Sequence, residues 1–242
     1  MFKRFLGVAA CATFISGGVG ADQSPYSDEF GAAVRAYLLD HPTVMLEVFA
    51  KLQDLEEQEA HKAALELIGA HEAALFQSKA PRMGAADGQY IVAEFFDYAC
   101  GFCKQALNEV DGALAGRDDI TVVLIELPIL GSNSDLAARV GMALREAEGD
   151  EAYLSYHRAL MSHPERLDAD LVEDVVGGLG FDFASLEEAG RQPSISAELR
   201  ANRQLAQALG INGTPGFVFR DEIVAGLVRT SALVEKLERG GR

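Results

Sequence analysis

Apolar positions along the chain fall into dense blocks and periodic stripes. YIVAEFF (90–96) and ITVVLIEL (120–127) are short, rich in β-branched and aromatic residues, and read as buried strands. Residues 102–114, between them, have helical spacing, so the segment predicts a β-α-β unit. A helical block follows. Leu136, Val140, Ala143, Leu144 and Ala147 recur at helical spacing over 135–148, and 152–162 reads as another helix. Residues 170–176 are a third, with Asp170 and Glu173 in capping-box positions, an arrangement that Ser185 and Glu188 repeat. A helix over 195–209 is ended by Gly210. Two short strands, 216–220 and 222–225, and a helix over 231–239 close the chain. The order is β-α-β, helices, β-β-α: an α/β sheet split by a helical insertion at about 135–209.

The N-terminal pattern differs. Phe30, Val34, Tyr37 and Leu38 share a face of a helix over 28–39, which the Asp40-His41-Pro42-Thr43 stretch breaks. Thr43 is placed to cap a second helix over 44–76. Its stripe of Val44, Val48, Leu52 and Leu55 lapses through Glu56, Glu57, Gln58 and Glu59, then resumes at Ala64, Leu67, Ile68 and Leu75. That lapse argues against a sustained coiled coil. It leaves two readings, a helix packed on its own domain and an oligomerisation arm. The polar, Gly- and Pro-containing stretch 78–88 is the expected boundary. The organisation predicted is a leader over 1–21, a helical extension over 22–80 and a main domain over 81–242.

The leader has Lys3 and Arg4, an apolar run, and a small-residue site ending at Ala21 before Asp22-Gln23-Ser24. This is the pattern of a secretory signal peptide cleaved after Ala21, and it predicts a periplasmic protein. Cys11 lies inside the run, with too few apolar residues before it for a lipoprotein site. The formal charge of −16 argues against nucleic acid and anionic membrane surfaces as partners.

With the leader removed, Cys100 and Cys103 of YACGFCK (98–104) are the only cysteines. An oxidising compartment leaves thiols paired, metal-bound or catalytic. His41, His61, His71, His157 and His163 form no second close ligand pair, so no metal and no cofactor are expected. A disulfide across two residues closes too short a loop to be an efficient staple. Redox chemistry is the favoured reading. Cys100, at a strand-to-helix junction, would have its thiolate stabilised by the first free amides of the helix and would be the nucleophile. Cys103, one turn on and more buried, would resolve the mixed disulfide. Gly101 would let the backbone turn tightly. Phe102 donates no hydrogen bond to a thiolate, so the pair should be less oxidising than one with a His there, and a potential at or above about −120 mV would contradict this.

Glu94 interrupts an apolar strand six residues before Cys100. Such a carboxylate is either at a solvated edge or a buried proton acceptor for Cys103. Thr214-Pro215 sits in a turn leading into a strand.

Together these stretches resemble the thioredoxin superfamily, and within it the DsbA-like exported thiol-disulfide oxidoreductases. EFFDYACGFCK (94–104) is similar to that family's strand, CxxC motif and helix start; INGTPGFVF (211–219) to its cis-proline loop; ELPILGSNS (126–134) to the loop after its second strand. The helices before residue 80 resemble the extra segment of relatives of the copper-tolerance Scs proteins. The resemblance implies a thioredoxin-like fold with a helical insertion and an N-terminal extension. It also implies a cis Pro215 beside the cysteines and a substrate strand pairing with the Thr214 backbone, with Gly101 and Phe102 at the same surface. Expected partners are unfolded or misoxidised exported proteins, a membrane redox partner and a second copy of the chain through the N-terminal helices. Oxidation, reduction and isomerisation stay open. A non-enzymatic chaperone or copper(I)-handling protein using the same thiolates is the alternative. Gly216, Arg220 and Ala225 depart from the family's usual pattern in the final hairpin.

Overall fold

A computed structural model of the chain describes residues 26–241, so the leader, Cys11 and the Ala21 site lie outside the described residues. Among the described residues the chain divides into two compact units, with the division between Leu55 and Glu56.

The first unit holds α1 (Asp28–Asp40) and the start of α2 (Thr43–Ala70). Ser27 caps α1 by accepting the Phe30 N–H, and Asp28 and Glu29 favour its positive end. Thr43 is the first helical residue of α2 rather than its cap; the helix starts on carbonyls of the preceding turn, with Val44 N–H donating to His41 and Met45 N–H to Pro42. No residue of α1 is buried. Phe30, Tyr37, Leu46, Val48, Phe49, Leu52 and Leu55 are all exposed.

The second unit is built on a five-stranded sheet of order β1-β3-β2-β4-β5, made of β1 (Arg82–Gly84), β2 (Tyr90–Phe96), β3 (Ile120–Glu126), β4 (Gly216–Val218) and β5 (Ile223–Ala225). β2 and β3 run parallel, joined by α4 (Gly101–Leu114). β1 is antiparallel to β3, and β4 antiparallel to β2. The insertion comprises α5 (Ser132–Glu148), α6 (Asp150–Ser162), α7 (Ala169–Gly178), α8 (Phe183–Ala189) and α9 (Pro193–Ala208), and α10 (Thr230–Gly240) closes the chain.

The period of two along each strand makes two cores. Val92 and Phe96 of β2, with Val122 and Leu124 of β3, join Cys103, Ala106, Val110, Leu144 and Tyr153 on one face. Ile91, Ala93 and Phe95, with Val123 and Ile125, join Ile68, Leu75, Phe76 and Leu205 on the other. That second core is why the unit takes in residues before 80: α3 (Glu72–Phe76) buries Leu75 and Phe76 against the sheet.

Several local expectations change. The predicted helix over 44–76 is two helices, because α2 ends at Ala70 and His71 intervenes before α3. The 78–88 stretch contains β1, too short and polar to show as a strand. Gly84 (φ +80°) takes a conformation closed to most side chains, and a Cβ there would lie 2.4 Å from the Ile120 carbonyl oxygen. The caps of α7 and α8 are Asp168, accepting the Leu171 N–H, and Asp182, accepting the Ser185 N–H. Asp170 lies inside the first turn of α7 and Ser185 inside that of α8, so neither starts a capping box. Gly210 has the positive φ of a helix-ending glycine.

Candidate functional site

β2 delivers the chain to the motif. The Asp97 carbonyl accepts the Cys100 N–H at 3.0 Å, turning the backbone so that Cys100 becomes the N-cap of α4. The Cys103 N–H donates to Cys100 Sγ at 3.3 Å, so the sulfur occupies the place of a capping oxygen, over amides that have no helical acceptor. Both cysteines are free thiols, Cys103 fully buried and Cys100 almost so. The Cys100 thiol donates to the Thr214 carbonyl at 3.2 Å, across 114 positions of sequence. The Thr214–Pro215 bond is cis. The structure therefore brings Cys100, Cys103, Thr214 and Pro215 together.

The electrostatics follow from this placement. Cys100 is lowered from about 9 to about 5, first by its hydrogen bond with the Cys103 side chain, then by Thr214 and the amides of Cys103 and Phe102, against the cost of burial. Cys103 is pushed far up, first by burial and then by its bond to Cys100. The two sulfurs are thus well separated in acidity.

Glu94 lies on the face of β2 shared with Val92 and Phe96, whose core contains Cys103. β2 is the central strand, which removes the edge reading, and Glu94 is 4% exposed. Burial, with a smaller contribution from the Cys100 charge, raises its carboxyl to about 8.

Gly101 has no positive φ, so no tight turn demands a glycine there; the turn is made by residues 97–100, and a Cβ on Gly101 would meet nothing within 4 Å. Phe102 is 61% exposed beside Cys100. Gly216, by contrast, packs closely: a Cβ there would lie 2.8 Å from Ile211 Cγ2. Next to the Thr214 turn, Leu127, Ile129, Leu130, Ile211, Asn212 and Arg203 line a cavity of about 500 Å³. Lys104 ties the insertion to α4 by donating to the carbonyls of His163 (2.7 Å) and Glu165 (2.9 Å).

Sequence reasoning missed a second buried acidic group. Glu126 Oε1 accepts from the Tyr153 hydroxyl at 2.8 Å and the Tyr98 hydroxyl at 3.1 Å. Burial raises Glu126 to about 8 although both tyrosines stabilise its charge. His157 packs edge-on to Phe96 in the same cluster, and burial lowers it to about 3, leaving a neutral ring. Glu126 carried the signal that exposed Glu94, a lone carboxylate in an apolar strand. Asp97 carried none, because an Asp after a strand reads as an ordinary turn residue. Among the described residues no group of three or more His, Cys, Asp or Glu converges as a metal site.

Comparison with known proteins agrees with this architecture. Residues 91–238, more than half of the chain, match the DSBA-like thioredoxin domain, and residues 28–59 match the copper resistance protein ScsC N-terminal domain. The chain belongs to the DsbA-like thioredoxin family, whose members are in general thiol-disulfide oxidoreductases. A thioredoxin-like oxidoreductase from Silicibacter pomeroyi DSS-3 is 36% identical, with a TM-score of 0.65 over 69% of this chain and 95% of that one. ScsC from Proteus mirabilis in a compact conformation is 26% identical, with a TM-score of 0.64 over 88% of this chain and 97% of that one. The probable disulfide bond formation protein D of Bacillus anthracis is 21% identical over 143 residues, 55% of this chain. The match spans 66% of that relative's length, just under two thirds.

Proposed function

We propose that this protein is an exported thiol-disulfide oxidoreductase that exchanges disulfides in other exported proteins through Cys100 and Cys103. The observation that carries the reading is the Cys100 sulfur at the N-terminus of α4, bonded by the Cys103 amide and the Thr214 carbonyl. In the reducing direction the Cys100 thiolate attacks one sulfur of a client disulfide. The client S–S bond breaks, one client thiolate leaves, and a Cys100–client disulfide forms. The Cys103 thiol then loses its proton, attacks Cys100 Sγ and releases the second client thiolate. Two electrons pass from the pair to the client; oxidation and isomerisation use the same steps in other order. Thr214 offers its backbone to the client strand, with Pro215, Gly101 and the exposed Phe102 shaping the surface around it.

Glu94 takes the Cys103 proton in this scheme. Part of what raises its carboxyl is the Cys100 charge. Once Cys100 is tied into a mixed disulfide that charge is gone, so Glu94 ionises more readily at the step where Cys103 must be deprotonated.

The exposed apolar side chains of the first unit support self-association through the N-terminal helices. A homo-oligomer could hold a misoxidised client between active sites, which suits isomerisation; a membrane redox partner would instead keep the pair oxidised for disulfide formation.

The test is the reduction potential of Cys100–Cys103 in the purified protein, measured by glutathione titration. A value between about −120 and −230 mV is expected for an exchange catalyst, and one below about −300 mV would mark a structural staple. Recovery of activity from a scrambled multi-disulfide client separates isomerase from oxidase. A tight copper(I) complex on the two soft sulfurs without exchange activity would replace the enzyme reading by metal handling.

A further inference from the structure

We infer that Asp97 is the positioning residue of the thiol pair, locking the Cys100 turn to the loop after β3 and so fixing the Cys100 sulfur over the first amides of α4. The inference rests on the reading of Cys100 and Cys103 as an exchange pair.

Asp97 is 1% exposed, and no Lys, Arg or His forms an ion pair with it among the described residues. Its carboxylate is satisfied by main chain alone. Oδ1 accepts the Ala99 N–H at 2.8 Å; Oδ2 accepts the N–H groups of Ile129 at 2.8 Å and Leu130 at 3.0 Å. One oxygen therefore holds the residue before Cys100, and the other holds a loop 32 positions away. The backbone of Asp97 also reaches the motif: its carbonyl takes the Cys100 N–H. The loop it grips carries the exposed Ile129 and Leu130, which line the cavity beside the Thr214 turn. Serine or asparagine would suffice for a local turn. Reaching three amides in two segments takes both oxygens of a carboxylate.

Charge and geometry act in opposite directions here, which makes the role testable. A carboxylate near Cys100 disfavours its thiolate by repulsion, whereas the geometry it enforces favours the thiolate. The other groups facing Cys100 are the Cys103 thiol, Thr214, the amides of Phe102 and Cys103, and Glu94 from β2, and all remain when Asp97 is changed. Glu126, whose carboxyl feels the Asp97 charge, also remains.

The experiment is titration of the Cys100 thiolate by ultraviolet absorbance in the reduced, full-length protein, for the native chain and for Asp97→Asn. Asparagine keeps the shape but presents an N–H₂ to one of the two segments. The expected result is an upward shift of the midpoint by about one pH unit, a tenfold loss of thiolate at fixed pH below it. An unchanged or lowered midpoint would overturn the positioning role, since loss of charge alone lowers it. Should the Asn variant fail to fold, Asp97→Ser serves: its hydroxyl can cap Ala99 but cannot reach the 129–130 amides, and the same upward shift is expected. A native midpoint in the ordinary thiol range would remove the exchange reading as well. A low native midpoint with no shift in either variant would remove the role of Asp97 alone.

Discussion

Glu94 costs free energy where it stands, in the central strand and out of water, and β2 offers no nearby cation to offset it. In Glu94→Gln the side chain keeps its size but cannot take a proton. The attack of Cys100 should be nearly unaffected, so alkylation of Cys100 should proceed at the native rate. Resolution by Cys103 should slow by about a hundredfold, the lower range of a lost general base, and the mixed disulfide with a model client should accumulate in rapid-quench experiments. Equal rates in both steps would mean that Glu94 is only a buried acid. At this scale legibility was uneven. Cys100, Cys103, Glu94 and Pro215 announce themselves, as a close pair of thiols, a carboxylate among apolar residues and a proline before a strand. Tyr98 and Tyr153 did not, because their meeting at Glu126 depends on the packing of α6 against β3, which no local pattern encodes.

The strands and helices of the second unit could be read because each has a strong period. β2 was predicted over its full range, and β3 to within a residue. What escaped were elements whose existence depends on a neighbour. β1 is three residues long and forms because β3 offers it an edge. The break at His71 lets α3 fold onto the sheet, a packing decision made by Leu75 and Phe76 rather than by helix propensity. The N-terminal helices pose the reverse problem: their pattern is amphipathic, yet none of α1 is buried in the chain itself. Val48→Glu with Leu52→Glu, both on the exposed stripe, should abolish self-association in light scattering while leaving Cys100 thiolate formation and the far-ultraviolet helix signal unchanged. A native protein that is already monomeric would end the arm idea.

For the whole molecule, the two acidities of the site become a difference in stability between redox forms. The Cys100 thiol is depressed in the folded dithiol protein, from about 9 to about 5. A depressed group contributes stability that is present above its unfolded value and is lost as pH falls through its folded value. The disulfide form lacks this contribution. The raised Glu94 and Glu126 act the other way: their contribution is present below about 4.5 and is lost as pH rises to about 8, but burial, their largest cause, persists in both forms. The melting temperature of the reduced protein, relative to the oxidised one, should therefore climb by a few degrees or more between about pH 5 and pH 9. A gap that stays constant over that range would refute the depressed pKa of Cys100.

The contact between Cys100 and the Thr214 carbonyl spans 114 positions, with the whole helical insertion between them. Synthesis delivers the cysteines well before their partner. A growing chain that has made β2, α4 and β3 already displays both thiols, yet β4 has not arrived to cover them. Closing so long a loop is slow. For that interval the two thiols stand open to whatever exchange chemistry surrounds them, and the contact that shelters Cys100 forms only once the stretch at Thr214 has arrived.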